Sequence, residues 1–268
     1  MNHVILWELN RRRTAIIWWT IGSVAMTALI VALYPSIRDQ AAQMNQVINQ
    51  LPPELRGLKT GGSSAVDVGD PLQFLNSQLL YATLPMIWII LAITRGSGIL
   101  GLEERDRTLE LLLARPISRT RLLLSKVAAL LSEFALITGA TTLGLMLLAP
   151  LFKLHVPAWH LLIATIYTAA FCLSFGYIAF ALQAASRMTK RAATVFAVAV
   201  SFGGYILASL SSLTDWLEIP AKFSPFHYFT PLTALRGETP RGLLVYVLFV
   251  FVLGTVGAFI SFRRRDIE

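Results

Sequence analysis

The sequence predicts an all-α integral membrane protein with six membrane-spanning helices. The 268 residues are 55% hydrophobic and only 14% charged, with a mean hydropathy of +0.63. That composition is far more apolar than the composition of a soluble domain. Six apolar runs of roughly 20 residues are each long enough to cross about 30 Å of hydrocarbon at about 1.5 Å per residue.

The predicted spans form a single transmembrane domain and cover residues 15–34, 74–94, 127–149, 159–185, 192–213 and 243–262. The first span is expected to be retained. It is too long for the apolar region of a signal peptide, and no small-x-small cleavage site follows it before Pro35. Pro85 interrupts the second span, where it is expected to be a tolerated kink or, alternatively, part of a gate.

Residues 1–13 combine Trp and Leu side chains with a run of arginines. This pattern is typical of a helix that lies in the membrane interface, with Trp7, Glu8, Arg11 and Arg12 as its candidate interface residues. A frayed, merely basic N-terminus is the alternative.

Two polar stretches are expected on the external side. Residues 35–73 contain Gln and Asn runs and a Gly-Gly-Ser-Ser sequence, so they predict a loop of short helix and flexible turn. Residues 214–241 carry four prolines that must break any single helix. Their aromatic side chains suit a membrane interface; these are Trp216, Phe223, Phe226, Tyr228 and Phe229.

The distribution of basic residues predicts the orientation. With the N-terminus inside, the internal segments 11–13, 95–126, 187–191 and 263–265 hold 16 of the 23 Lys and Arg residues, and the external segments hold 7. Because cytoplasmic loops are enriched in Lys and Arg, both termini are expected in the cytoplasm. Residues 95–126 then form the largest cytoplasmic feature.

This cytoplasmic loop contains a charged segment, residues 103–126, with a predicted short helix at 108–115 that Pro116 ends. Leu109, Leu112 and Leu113 share one face of that helix at about 100° per residue, and Leu111 lies among charges on the other face. Ser118 is placed to cap the next helix.

Several classes of site are missing from the sequence. It has no GxxxxGK[ST] P-loop, no HExxH and no GxSxG motif, and its four histidines are scattered. His155 and His160 are better interpreted as solvated loop residues than as metal ligands. Cys172 is the only cysteine, so no intrachain disulfide forms. Enzyme chemistry is not expected, because these motifs are absent. Nucleic-acid binding is not expected either, because the basic residues adjoin apolar spans.

Glu133 is the one carboxylate in the middle of a span, about 10 Å beyond Lys126 at helical rise. An intramembrane acid indicates proton or substrate contact by default. At this shallow depth, pairing with Lys126, Arg187 or Lys190 is the favoured alternative, because an unpaired buried charge is costly.

Three stretches in this order resemble the permease subunits of ABC-2 type exporters: FLNSQL at 74–79, GLEERDRTLELLLARPISRTRLLLSK at 101–126 and SPFHYF at 224–229. The resemblance covers nearly the whole chain, and the middle motif is the most specific. The sequence departs from the family at Arg105–Thr108, where family members often have E-x-G-T, and at Glu133, where an apolar residue is expected.

The resemblance implies a half-transporter of six helices with an N-terminal interfacial helix, a cytoplasmic coupling helix and external re-entrant helices. The coupling residues that it implies are Glu103, Glu104, Arg107, Thr108, Glu110, Leu111, Leu112, Arg115, Pro116, Ser118 and Arg119. The re-entrant residues are Ser224, Pro225, Phe226, His227 and Tyr228. Two permease chains would assemble with two ATP-binding subunits, which bind ATP and Mg²⁺, so this chain itself would hold no cofactor.

The function expected from these observations is ATP-driven export of a drug, peptide or lipid-like substrate. Leu111 is hypothesised to enter a cleft of the ATP-binding subunit; alternatively, it packs on a neighbouring helix of its own chain. A stand-alone secondary carrier or a membrane scaffold is the rival function, although the repeated halves of a carrier are not visible.

Overall fold

The computed structural model describes residues 2–50, 67, 69–99, 119–186, 189–211 and 215–263, and in these residues all regular structure is helical. We number the helices as follows: α1 Asn2–Arg11, α2 Arg13–Asp39, α3 Ala41–Gln50, α4 Pro71–Gly96, α5 Arg119–Leu151, α6 Ala158–Ser186, α7 Lys190–Leu210, α8 Asp215–Lys222, α9 Pro231–Leu235 and α10 Arg241–Arg263. A 3-10 helix, Pro225–Tyr228, lies between α8 and α9.

Six of these helices are long and apolar enough to cross a membrane, which confirms the predicted number of spans within the described residues. Their spanning parts are Arg13–Asp39, Pro71–Gly96, Leu124–Leu151, Ala158–Ala184, Lys190–Leu210 and Arg241–Ala258. The chain is therefore a multi-pass membrane protein.

The first span is longer than predicted. We expected it to end at residue 34, but α2 continues through Pro35 to Asp39. One proline removes a single backbone donor, and the surrounding turns hold the helix. A further helix, α3, then occupies the start of the predicted external loop.

The second span begins with a cap and contains a π-helical segment. Asp70 accepts a hydrogen bond from the Leu72 amide at 3.2 Å, and Pro71 occupies the first turn of α4. Residues Leu75–Thr83 are π-helical, and Pro85 follows directly in the α-helical remainder, Leu84–Gly96. The helix type therefore changes just before Pro85, and the kink at this proline stays a prediction. The Thr83 hydroxyl donates to the Gln78 carbonyl at 2.5 Å inside this segment.

The centre of the bundle is α6, which packs against α4, α5, α7 and α10, while α2 packs on α5. The crossing of α4 and α6 is especially close at Gly96 and Gly176. A Cβ atom at either glycine would collide with backbone atoms of the other helix. Only glycine permits this approach, so the two residues fix how close the helices lie.

The region of residues 214–241 is broken into short helices, as its prolines predict. Pro225 and Pro231 each stand in the first turn of a short helix, whereas Pro220 lies inside α8. Phe226 and Phe229, which were expected to suit a membrane interface, pack inside the protein. They are buried, and Phe229 stacks on Phe171 with ring centroids 4.0 Å apart.

The burial of these rings has a clear cause. Phe171 projects from the central helix α6, and it offers Phe226 an edge-on contact with centroids 4.9 Å apart. Aromatic pairs of this kind add to the burial of large apolar area. Phe223, outside this cluster, remains 85% exposed.

Candidate functional site

Five charged side chains meet where α1 lies against α5 and the end of α4. They are Glu8 on α1, Arg12 between α1 and α2, Arg95 near the end of α4, and Lys126 and Glu133 on α5. We call this group the charge cluster. It is the main concentration of buried charge in the described part of the chain.

The N-terminal part of the charge cluster is formed locally. Glu8 and Arg12 are four residues apart, so they lie on one face of a helical turn. The Arg12 amide donates to the carbonyls of Glu8 and Leu9, each at 3.2 Å. The Arg12 Nε atom lies 3.5 Å from Glu8 Oε2. α1 therefore presents an acid and a base side by side to the rest of the bundle.

The α5 part of the cluster follows from a separation of seven residues. Lys126 and Glu133 lie within about 20° of each other on a helix, roughly 10 Å apart along its axis. The Lys126 ammonium is ion-paired with the Glu8 carboxylate. The Arg12 Nη1 atom lies 3.7 Å from Glu133 Oε2. Two ion pairs thus attach α1 to one face of α5.

Arg95 adds the second span to the cluster. Its Nε atom lies 2.7 Å from Glu133 Oε1, the shortest distance that Glu133 makes to an arginine in the cluster. Arg95 stands in the last turn of α4, where a cation also interacts favourably with the helix dipole. Glu133 is therefore shared by two arginines from different elements.

The cluster is well shielded from solvent. The side chains of Glu8, Lys126 and Glu133 are 3–4% exposed, and those of Arg12 and Arg95 are 15% and 16% exposed. Charges at this depth persist only when paired, and removing one partner of a buried pair costs about 3–5 kcal/mol. A small cavity adjoins the cluster and is lined by Glu8, Leu9, Arg12, Ile99, Lys126, Ala129, Leu130 and Glu133.

The arrangement suits mechanical linkage rather than bond chemistry. Each carboxylate is engaged by cations, and no group of three His, Cys, Asp or Glu side chains among the described residues is arranged to hold a metal ion. What the cluster provides is a set of charge-assisted contacts among three separate helices. Such ion pairs favour one relative position of the helices because a buried pair is costly to break.

The predicted ion pairing of Glu133 is confirmed. We expected Lys126, Arg187 or Lys190 as its partner. Arg187 lies outside the described residues, and the observed ion pairs join Glu133 to Arg12 and Arg95. The clue available in the sequence is the arginine run at 11–13, which we assigned to the membrane interface instead.

The N-terminal residues divide between two faces of α1. Glu8 and Arg12 turn into the protein, while Trp7 and Arg11 are exposed. The Arg11 guanidinium carbon lies 5.4 Å from the centre of the Trp7 ring, a cation–π contact. Trp7 and Arg11 thus lie on the exposed side of α1, and the interfacial position of this helix stays a prediction.

Most of the predicted coupling residues fall outside the described residues, so their prediction stands as made. These are Glu103, Glu104, Arg107, Thr108, Glu110, Leu111, Leu112, Arg115, Pro116 and Ser118. Arg119 is the first described residue of α5.

The five predicted re-entrant residues form one compact turn. Ser224 caps the 3-10 helix by accepting from the Phe226 amide at 3.2 Å, and its hydroxyl donates to the Gly204 carbonyl of α7 at 2.7 Å. Pro225 and Phe226 are buried, whereas His227 and Tyr228 are exposed. The turn is therefore anchored to the fifth span.

Comparison with known proteins gives one match. Residues 5–263 match the family described as "Multidrug efflux system permease Rv1217c, C-terminal domain". No curated protein and no solved structure matches the chain.

Proposed function

Because the chain belongs to the family described as "Multidrug efflux system permease Rv1217c, C-terminal domain", we propose that it is the membrane-spanning subunit of an ATP-driven drug exporter of the ABC-2 type. The observation that carries this proposal is a family match over residues 5–263, which takes in all six candidate spans. The chain is thus a transporter permease, and the source of energy and the substrate are what we propose.

ATP hydrolysis is assigned to a separate subunit. The sequence contains no P-loop with which to hold nucleotide phosphates. The proposed complex has two permease chains, identical or different, and two ATP-binding subunits that bind ATP and Mg²⁺. The permease chain itself has no enzymatic activity, holds no cofactor and binds no nucleic acid.

The proposed location is the plasma membrane of a bacterium, with both termini in the cytoplasm. The bias of Lys and Arg toward one set of connecting segments supports this orientation. The charge cluster and residues 101–118 then lie on the cytoplasmic side, and the turn at Ser224 lies on the external side.

The proposed mechanism is alternating access at the interface between two permease chains. Closure of the ATP-binding subunits pushes on the helix proposed at residues 108–115, with Leu111 seated in their cleft. Because residues 101–118 connect α4 to α5, this push tilts the second and third spans. The substrate class, drugs rather than peptides or lipids, follows the name of the family.

Transport in inside-out membrane vesicles tests this proposal against a secondary carrier. With ethidium as the probe, ATP should drive its uptake in vesicles containing the permease and its ATP-binding subunits, and a proton ionophore should leave that uptake intact. Uptake that the ionophore abolishes, and that ATP does not restore, would identify a carrier. Equal uptake with and without the permease would support a scaffold.

A further inference from the structure

The order of charges in the cluster allows one orientation of α1 on α5. The acid Glu8 of α1 precedes the base Arg12, which directly follows that helix, and along α5 the base Lys126 precedes the acid Glu133. When α1 runs in its observed direction, both contacts are attractive. Reversing α1 would place Glu8 near Glu133 and Arg12 near Lys126. Like charges at such depth are strongly unfavourable, so the sequence order selects the observed direction.

The spacing of these charges sets the position of α1 along α5 as well as its direction. Four residues on α1 span about 6 Å and seven on α5 span about 10 Å, and the long side chains bridge the difference. A slide of α1 by one turn, about 5 Å, in either direction would lengthen at least one of the two pairs. The charge cluster therefore favours one position of α1 along the axis of α5.

Arg95 extends this fixed arrangement to the second span. The chain leaves α4 directly after Arg95, and Ile99 lines the same cavity as Glu8 and Glu133. After Ile99, the next residue that the structure describes is Arg119, at the start of α5. Both helices that flank residues 100–118 are thus anchored in the charge cluster, one through Arg95 and the other through Lys126 and Glu133.

We propose that Glu133 is a positioning residue for transport, which with Arg12 and Arg95 holds α1, α4 and α5 as one unit so that motion of residues 100–118 reaches both spans together. This inference rests on the proposed function, because it assigns residues 100–118 the role of receiving the motion. The inference also requires the Glu133 carboxylate to be charged and paired with both arginines, so that the three helices move together.

The arrangement of α1 is tested by crosslinking, which needs no ATP-binding subunit. Leu9 and Ala129 line the same cavity from α1 and α5, so Leu9→Cys and Ala129→Cys in a Cys172→Ala background form a reporter pair. Adding Glu133→Gln or Arg12→Gln should slow oxidative crosslinking about tenfold, because each removes a charge that attaches α1. The matched conservative variant, Arg12→Lys, should retain the parent rate.

Transport is then measured per ATP hydrolysed, in proteoliposomes with the ATP-binding subunits and ethidium as the probe. Glu133→Gln and Arg12→Gln should preserve ATP hydrolysis while lowering ethidium transported per ATP by about tenfold or more, because each removes one partner of a buried ion pair. Arg236→Gln removes an exposed cation near the start of the sixth span and should change neither value. A general loss of folded protein would lower ATP hydrolysis and transport in proportion and would leave the amount of ethidium transported per ATP unchanged.

The proposal is overturned if crosslinking and transport per ATP both stay at parent values in Glu133→Gln and in Arg12→Gln. It is also overturned if crosslinking slows but transport per ATP is unchanged, since the cluster would then be architecture only. If the unsubstituted chain transports nothing with ATP, the proposed function fails and the transport role fails with it. Crosslinking still decides separately whether the charges position α1.

Discussion

Adding a single methyl group at Gly96 should loosen the centre of the bundle. A Cβ atom there would meet the carbonyl oxygen, carbonyl carbon and Cα of Gly176, all of them backbone atoms of α6. No side-chain rotation can relieve such a contact, so α4 and α6 must move apart. Arg95 is the preceding residue, and its 2.7 Å contact with Glu133 should lengthen at the same time.

The magnitude follows from two opposing effects. Overpacking of this kind costs about 1–3 kcal/mol, and alanine regains up to about 1 kcal/mol through its higher helix propensity. A net loss of about 1 kcal/mol lowers the Tm by about 2–4 °C in a chain of this size. Thermal unfolding of the purified protein in detergent measures this change.

Gly139→Ala is the matched control for Gly96→Ala. Gly139 also lies inside a spanning helix, but nothing approaches its Cβ position within 4 Å. Its substitution should leave the Tm unchanged or raise it slightly, because only the helix propensity changes. Equal Tm values for the two variants would refute the close crossing of α4 and α6.

Three further predictions concern the short helices and the proposed coupling segment. Ser224→Ala should lower the free energy of unfolding by about 1–3 kcal/mol, because its buried hydroxyl makes two hydrogen bonds. Ser36→Ala, at an exposed site, should leave the free energy of unfolding unchanged. Equal stability of the two variants would contradict the anchoring of the Ser224 turn to α7. Phe229→Ala should lower the free energy of unfolding by about 3–5 kcal/mol and Phe223→Ala by much less, because Phe229 is buried and Phe223 is 85% exposed. Urea unfolding measures both values. Similar losses for the two variants would contradict the packing of Phe229 in the aromatic cluster. Leu111→Asp should abolish ATP-driven ethidium transport while membrane insertion is retained, and unchanged transport with unchanged stimulation of ATP hydrolysis would end the coupling hypothesis.

The spans were predictable because they depend on properties that a short window of sequence contains. Hydropathy and length identify the six helices, and prolines identify the broken region of residues 214–241. The end of the first span was missed because a helix passes through Pro35, and whether it does so depends on its neighbours. Local sequence therefore places helices better than it places their ends.

The charge cluster was only partly predictable because its pairs join residues far apart in the chain. Glu133 was identified as exceptional by its charge inside a span, and pairing was the favoured interpretation. Its partners, Arg12 and Arg95, are set by how α1 and α4 pack on α5. Phe226 and Phe229 illustrate the same limit, since an aromatic residue near a span end suits either an interface or a core.

The central claim is that this permease works with a separate ATP-binding subunit, and copurification tests it most directly. The complex is solubilised from native membranes in mild detergent, isolated through a tag on the permease chain, and its subunits are counted by quantitative mass spectrometry. The proposed function predicts a P-loop protein present at one copy per permease chain. Isolation of the permease chain alone, in a form that still transports ethidium when reconstituted, would contradict the claim.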